Sequence, residues 1–397
     1  MTQRTRQGAV TLAAVLLGTA AGCAGQADPG KASPRQEPQH PAPFAAGGTV
    51  AARGFTLVAS GDVLPHDSVI RQARADADGD GYDFRPMLAG VRPVISGADL
   101  AICHMETVYG GNGDYTGYPA FKSPPQIAKA LASTGYDSCS AASNHTLDDG
   151  AAGVRRTLDA LDEAGIRHAG SARTAAEAAR PAWLKAGGAK VAQLAYTYGT
   201  NGFPLPEKQP WAVSLIDERK IVADARAARK AGADVVVVSL HWGTEWETDP
   251  DERQLRLGRT LTVSTTDGRP DIDLILGTHA HVPQAYEKVN GTWIVYGMGN
   301  QIAGSMVNYE GVEDPRGHQG SIGRFTFVPP ARPGERWAVK KAEFIPQWMN
   351  AGTGRVINLP AALCRDADLE DCLAAQSAIR KAVLSRGAAE QGLTMGR

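Results

Sequence analysis

The sequence predicts an α/β fold on a largely parallel central sheet, and three observations carry that prediction. From residue 55 onward, short β-rich runs alternate with segments of helical period. Residues 234–240 (DVVVVSL) form the near-continuous apolar run of a strand buried on both faces. A later hairpin signal adds antiparallel pairing, so two sheets should pack face to face with helices outside. The expected architecture is a single α/β/β/α domain of four layers.

The elements follow in order. Residues 55–60 (FTLVAS) are the first strand and run into Gly61-Asp62. The second is 99–105 (DLAICHM). Residues 124–133 open on two prolines, keep helical spacing and stop at Gly135. Residues 137–142 (DSCSAA) are a third strand leading into Ser143-Asn144-His145. Helices are expected over 151–164 and 214–231, ended by Gly165 and Gly232, with a strand over 190–198 between them. The strands 234–240 and 272–276 run into His241 and into Gly277-Thr278-His279. Residues 286–296 contain Asn290-Gly291, a two-residue hairpin turn. More strand follows Arg332, then a polar helix over 366–386. The domain is thus expected over 54–350, with 351–397 as a helical extension.

The N-terminus reads as an export signal. Arg4 and Arg6 precede an apolar run over residues 8–22. That run of about 15 residues is shorter than the ~20 a membrane span needs. It ends Ala20-Ala21-Gly22-Cys23, which resembles a lipobox. Residues 1–22 are then a signal peptide, and Cys23 is the acylated anchor to the outer face of the cell membrane. Residues 23–53 hold few large apolar groups and read as anchor and tether. Of the remaining cysteines, Cys364 and Cys372 are close together in polar surroundings and form the better disulfide pair. Cys103 and Cys139 lie in apolar strand patterns and read equally as buried thiols or as a bond.

Composition narrows the partners. Lys+Arg is 41 against Asp+Glu 42, a formal net charge of −1. That balance lacks the basic excess that holds nucleic acid by counterion release. Hydrophobic residues at 43% against 21% charged exclude a disordered chain for most of the length.

The chemistry gathers at strand ends. Five strands finish in ligand-type residues: Asp62, then His104 with Glu106, Asn144 with His145, His241, and His279 with His281. In α/β sheets the binding crevice lies at the carboxyl ends of the strands, so these residues should converge. One histidine at a strand end is more often a packing group, but several in succession are not. Carboxylates, an amide oxygen and imidazoles suit two borderline divalent ions, Mn, Fe or Zn, that share a bridging carboxylate. Such ions clamp phosphoryl oxygens, and a protonated histidine nearby can donate to the leaving oxygen. Asp148 and Asp149 read as caps of the helix that follows.

Taken in order, SGDVLPH, HMET, FKSPP, SNHTLDDG, YTYGTNG, HWGTEW, GTHAHVPQ and GMGNQ resemble the bacterial CapA family of poly-γ-glutamate capsule synthesis proteins. That family has the calcineurin-like metallophosphoesterase fold, and the likeness runs over about 55–304. The resemblance implies that Asp62 and His281 hold a first metal, that Asn144, His241 and His279 hold a second, and that Glu106 bridges them. His145 would be the general acid. Lys122, Ser123, Glu245 and Asn300 would lie on the substrate side or behind the ligands. The chain departs from the family pattern at His104 (Asn), Met105 (Leu) and Gln301 (Phe), and His66 follows Asp62 by four residues. His66 and His104 are therefore open between an additional ligand, a phosphate contact and a structural role.

Two functions of different class follow from this resemblance. One is a phosphomonoesterase or phosphodiesterase of the cell envelope linked to capsule or poly-γ-glutamate synthesis. The other is a non-catalytic assembly or export factor for an anionic capsule polymer, working with the capsule synthesis machinery. An amide hydrolase acting on a γ-glutamyl polymer is a weaker third.

Overall fold

A computed structural model describes residues 52–332, 335–362 and 369–397. They belong to one compact unit. Cys23, Cys364 and the signal segment lie outside the described residues, and with them the anchor and the Cys364–Cys372 pair.

The principal strands in chain order are β1 (Phe55–Leu64), β2 (Leu100–Met105), β3 (Ser138–Ser140), β4 (Arg167–Ala169), β5 (Ala182–Ala186), β6 (Ala189–Thr197), β7 (Val235–His241) and β8 (Leu274–Thr278). They continue as β9 (Tyr286–Val289), β10 (Thr292–Val295), β11 (Asn300–Ala303), β12 (Gln319–Val328), β13 (Ala338–Asn350), β14 (Arg355–Asn358) and β15 (Leu393–Met395). The principal helices are α1 (Asp67–Ala75), α2 (Gln126–Thr134), α3 (Gly150–Glu163), α4 (Glu218–Lys230), α5 (Glu252–Val263) and α6 (Leu369–Leu384).

Two large sheets result. The first runs β14-β13-β12-β1-β2-β3-β4, with β11 beside β1 and β15 beside β13. The second runs β9-β10-β8-β7-β6-β5. Within each, the strands that carry ligand residues are parallel, so their carboxyl ends share one edge.

Strand alternation builds the layers. Phe55, Leu57, Leu100 and Ile102 pack against Val235, Val237, Leu274 and Leu276 between the sheets. Val58, Ala101 and Cys103 face the other way, onto Ile127, Leu131, Val154 and Leu158 of α2 and α3. Val236, Val238 and Ile275 face Ile221, Ala225, Leu257 and Leu261 of α4 and α5. This is the four-layer α/β/β/α sandwich. It explains the unbroken valine run of β7, which is buried on both faces. Each such side chain contributes ~1.5–3 kcal/mol on burial.

Local chemistry ends the helices as expected. Gly135 follows α2 at φ +112°, a conformation glycine adopts without a Cβ penalty. Helix α4 begins later than periodicity suggests, because the Asp217 side chain accepts from the Lys220 N–H and sets the N-cap. Helix α5 is an element the sequence reading does not include. It opens on a capping box between Asp251 and Gln254.

Residues 351–397 carry the expected helix as α6 and add two strands, β14 and β15, which both pair with β13 in the first sheet. The question left open for Cys103 and Cys139 closes as a disulfide joining β2 to β3 in register. Cys372 is buried in α6. Among the described residues, no helix is long and apolar enough to cross a membrane.

Candidate metal centre

The site forms where β1, β2, β7 and β8 end. At Gly61 an added Cβ would lie 1.8 Å from the Gly299 carbonyl oxygen, so only glycine permits β1 and the turn before β11 to cross this closely. The Asp62 N–H donates to that same oxygen at 3.0 Å. Pairing with β11 slips between Asp62 and Val63, a bulge that re-aims side chains at the strand end. After β8, His279 and His281 have φ of +94° and +58°, uncommon for residues with a Cβ. Strain of this kind gathers at functional sites. The His279 N–H reaches the Asp62 carboxylate at 3.2 Å.

These turns bring the expected ligands together. Ligand atoms of Asp62, His104 and His241 lie within 4.8 Å of one another, as do those of Glu106, His279 and His281. All six residues are buried. Glu106 Oε1 is 3.6 Å from His241 Nε2 and 3.7 Å from His281 Nε2. Asn144 Oδ1 is 2.9 Å from His241 Nε2. The Ser143 hydroxyl donates to the Glu106 carbonyl and accepts from the His145 N–H, tying the two loops together.

The rings are oriented from behind. His281 Nδ1 donates to Asn300 Oδ1 at 3.0 Å, and the Asn300 amide is itself fixed by donating to the Gly317 carbonyl. His241 Nδ1 meets Thr278 Oγ1 at 3.0 Å. Such outer contacts fix which nitrogen faces a metal.

Electrostatics favour a cation here. Glu106 Oε1 and Oε2, His104 Nε2 and His279 Nδ1 are buried without a hydrogen-bond partner. Leaving such groups unpaired costs ~1–3 kcal/mol or more each, and a metal ion would satisfy several at once. Burial pushes the Glu106 carboxyl well up. Burial alone would lower His281, but the Glu106 and Asp62 carboxylates outweigh it and push the ring up to about 10. Burial, then the neighbouring imidazoles, holds His241 and His279 well below the ordinary value. Those two rings are therefore neutral near pH 7, with lone pairs available. The donor set fits divalent metal.

His104 is drawn into the cluster. It lies opposite Asp62 in the β1–β2 register, its Nδ1 is 2.7 Å from Ser140 Oγ, and its Nε2 is 3.8 Å from the Asp62 carboxylate. His66 stands apart. Its Nδ1 lies against backbone, 3.0 Å from the Leu64 oxygen and 3.1 Å from the Gly304 nitrogen. It lines a neighbouring cleft of about 240 Å³ together with His145, His281 and Glu245.

His145 Nδ1 donates to Asp148 Oδ2 at 2.7 Å, and the Phe121 N–H donates to the same oxygen. Asp148 is thus the partner of His145 rather than a helix cap. Asp149 occupies the N-cap position without a capping hydrogen bond and pairs with Arg156. The signal that could have found this pair is the His-x-x-Asp spacing across one turn. Lys122 and Ser123 do not reach the cleft. The Lys122 ammonium pairs with Asp114, and the Ser123 hydroxyl meets Thr107 Oγ1.

Layers and buried side chains together define a four-layer α/β/β/α sandwich with a candidate metal centre at the strand ends. Residues 56–305 match the family model described as bacterial capsule synthesis protein PGA_cap, and the chain belongs to that family. It is 29% identical to capsule biosynthesis protein CapA of Bacillus anthracis over 45% of this chain and 42% of that protein. It is 30% identical to PGA biosynthesis protein CapA of Bacillus subtilis over 45% of each chain. The chain thus spans less than half the length of these two curated relatives. Among solved structures it is similar to a calcineurin-like phosphoesterase, YfkN, of Bacillus subtilis, at 14% identity and a TM-score of 0.42, covering 83% of this chain and 99% of that one. A 5'-nucleotidase precursor of Thermus thermophilus gives 16% identity and a TM-score of 0.40, over 84% and 59%.

Proposed function

We propose that this protein is a metal-dependent phosphoester hydrolase of the cell envelope, tied to synthesis of a capsule polymer such as poly-γ-glutamate. The observation that carries the reading is Glu106, whose two carboxylate oxygens lie buried without hydrogen-bond partners between His241 and His281. Asp62, Glu106 and His281 would hold one divalent ion, and Glu106, Asn144, His241 and His279 a second, with His104 as an added donor beside Asp62. Mn, Fe or Zn suits this mixture of donors. When bound, such ions lower the pKa of water and polarise a phosphoryl oxygen. Asn300 and Thr278 keep the ring nitrogens aimed at the centre. Asp148 accepts the hydrogen bond of His145 Nδ1–H, which leaves Nε2 to carry a proton to the leaving oxygen.

The link to capsule polymer rests on the family and on the names of the Bacillus relatives. An export signal over residues 1–22 and an acyl anchor on Cys23 belong to the same proposal, and they would hold the site outside the membrane. The names of those relatives also favour a second reading, a non-catalytic assembly factor whose metals grip carboxylates of the polymer.

One experiment separates the two. The full chain is loaded with Mn²⁺, Fe²⁺ or Zn²⁺ and assayed on phosphomonoesters, phosphodiesters and a poly-γ-glutamate chain. Hydrolysis of a phosphoester that is lost in His145→Ala supports the enzyme. Metal retained with no turnover of any substrate supports the assembly factor.

A further inference from the structure

The cleft beside the metal centre has an unusual lining. Its walls are Tyr118, Phe121, Trp246, Met306 and Tyr309, and its one carboxylate outside the metal cluster is Glu245. No Lys or Arg lines it among the described residues. Arg316, which donates to the Trp246 carbonyl, pairs with Asp314 at 2.6 Å, and Lys122, next to Phe121 in sequence, pairs with Asp114. Glu245 faces the cluster: its Oε1 lies 4.0 Å from His279 Nε2, and Tyr309 lines the cleft with it.

A site that accepts a dianionic or polyanionic ligand supplies cations for each negative group. Here cationic charge would sit only at the metal cluster and on His145, the proposed acid beside it, and the remaining charge lining the cleft is the Glu245 carboxylate. The apolar rings are available at the mouth, since Tyr118 is 73% and Tyr309 72% exposed. The volume of about 240 Å³ is below the ~300–1,000 Å³ of common small-molecule pockets. It takes one ring or a short apolar chain.

We infer that the cleft selects a ligand with one anionic group for the metal centre, joined to an uncharged or cationic apolar part. Glu245 excludes a second negative charge beside the first. The inference rests on the proposed metal site and deepens it. It argues against a run of carboxylates lying in this cleft, because those beyond the first would meet Glu245 and no Lys or Arg.

The test uses non-hydrolysable probes on the full chain loaded with Mn²⁺. Dissociation constants of phenylphosphonate and 4-carboxyphenylphosphonate are measured by calorimetry in the parent chain and in Glu245→Gln. The added carboxylate should weaken binding about tenfold in the parent, equivalent to ~1.4 kcal/mol, and Glu245→Gln should close most of that gap. Equal affinities in the parent, tighter binding of the carboxylated probe, an unchanged gap in Glu245→Gln, or failure of phenylphosphonate to bind would each overturn the inference. Binding in the expected pattern without turnover of phenyl phosphate would overturn the hydrolase reading and leave the selectivity standing.

Discussion

The side-chain oxygen of Asn300 accepts a hydrogen bond from Nδ1 of His281 at 3.0 Å, although the two residues sit on opposite sides of the β9–β10 hairpin in sequence. The bond holds this ring with Nε2 turned toward Glu106, 3.7 Å from its Oε1. Outer partners of this kind carry about 10–100-fold in metal affinity. Asn300→Ala should weaken Mn²⁺ binding by that factor while the far-ultraviolet circular dichroism stays unchanged. Calorimetric titration with Mn²⁺ checks it.

Asp148 does for His145 what Asn300 does for His281. If His145 is the general acid, a contribution of about 10²–10⁴ in rate passes through it. Asp148→Asn should lower kcat on a phosphomonoester much more than it changes KM, and an unchanged kcat would remove Asp148 from the mechanism.

The Cys103–Cys139 bond closes a loop of sequence separation 36. By loop entropy such a closure stabilises the fold by roughly 4 kcal/mol. The double variant Cys103→Ala, Cys139→Ala should lose stability of that order in urea unfolding. It should also loosen metal binding, because Ser140, which holds His104, follows Cys139 directly.

pH dependence has two limbs in chain stripped of metal by chelation. His66 and His104 are both lowered to about 4 by burial. Lowered histidines contribute stability that is present above the ordinary ~6.5 and lost as pH falls toward 4. His281 is raised to about 10, with burial opposing and the Glu106 and Asp62 carboxylates prevailing. Its contribution is present below ~6.5 and lost as pH rises through 10. Urea midpoints should therefore peak near neutrality, and His281→Gln should flatten the alkaline limb. A midpoint rising steadily to pH 10 in the parent chain would contradict the His281 shift.

Most of the sandwich and the ligand cluster could be read from the residues. Apolar runs such as 234–240 are long enough to declare buried strands, and ligand types follow each of them directly. What escaped depends on contacts that linear spacing does not encode. The strands β14 and β15 are 4 and 3 residues long, too short for a period-2 pattern, and exist through pairing with β13. Helix α5 buries Leu257 and Leu261 around a glycine, so its apolar stripe is thin. Linear spacing offers His66 and His104 alike as extra donors, and it is the β1–β2 register that sets His104 beside Asp62 while His66 turns to backbone. Lys122 has the composition of a phosphate contact, yet Asp114 claims its ammonium.

On the proposed function, the buried carboxylate–imidazole cluster holds divalent metal through Glu106. Elemental analysis of the full chain after loading with Mn²⁺ and exhaustive dialysis tests it directly. About two ions per chain are expected, as for paired metal sites, with most of the bound metal lost in Glu106→Gln. No retained ion, or equal retention in Glu106→Gln, would contradict the account.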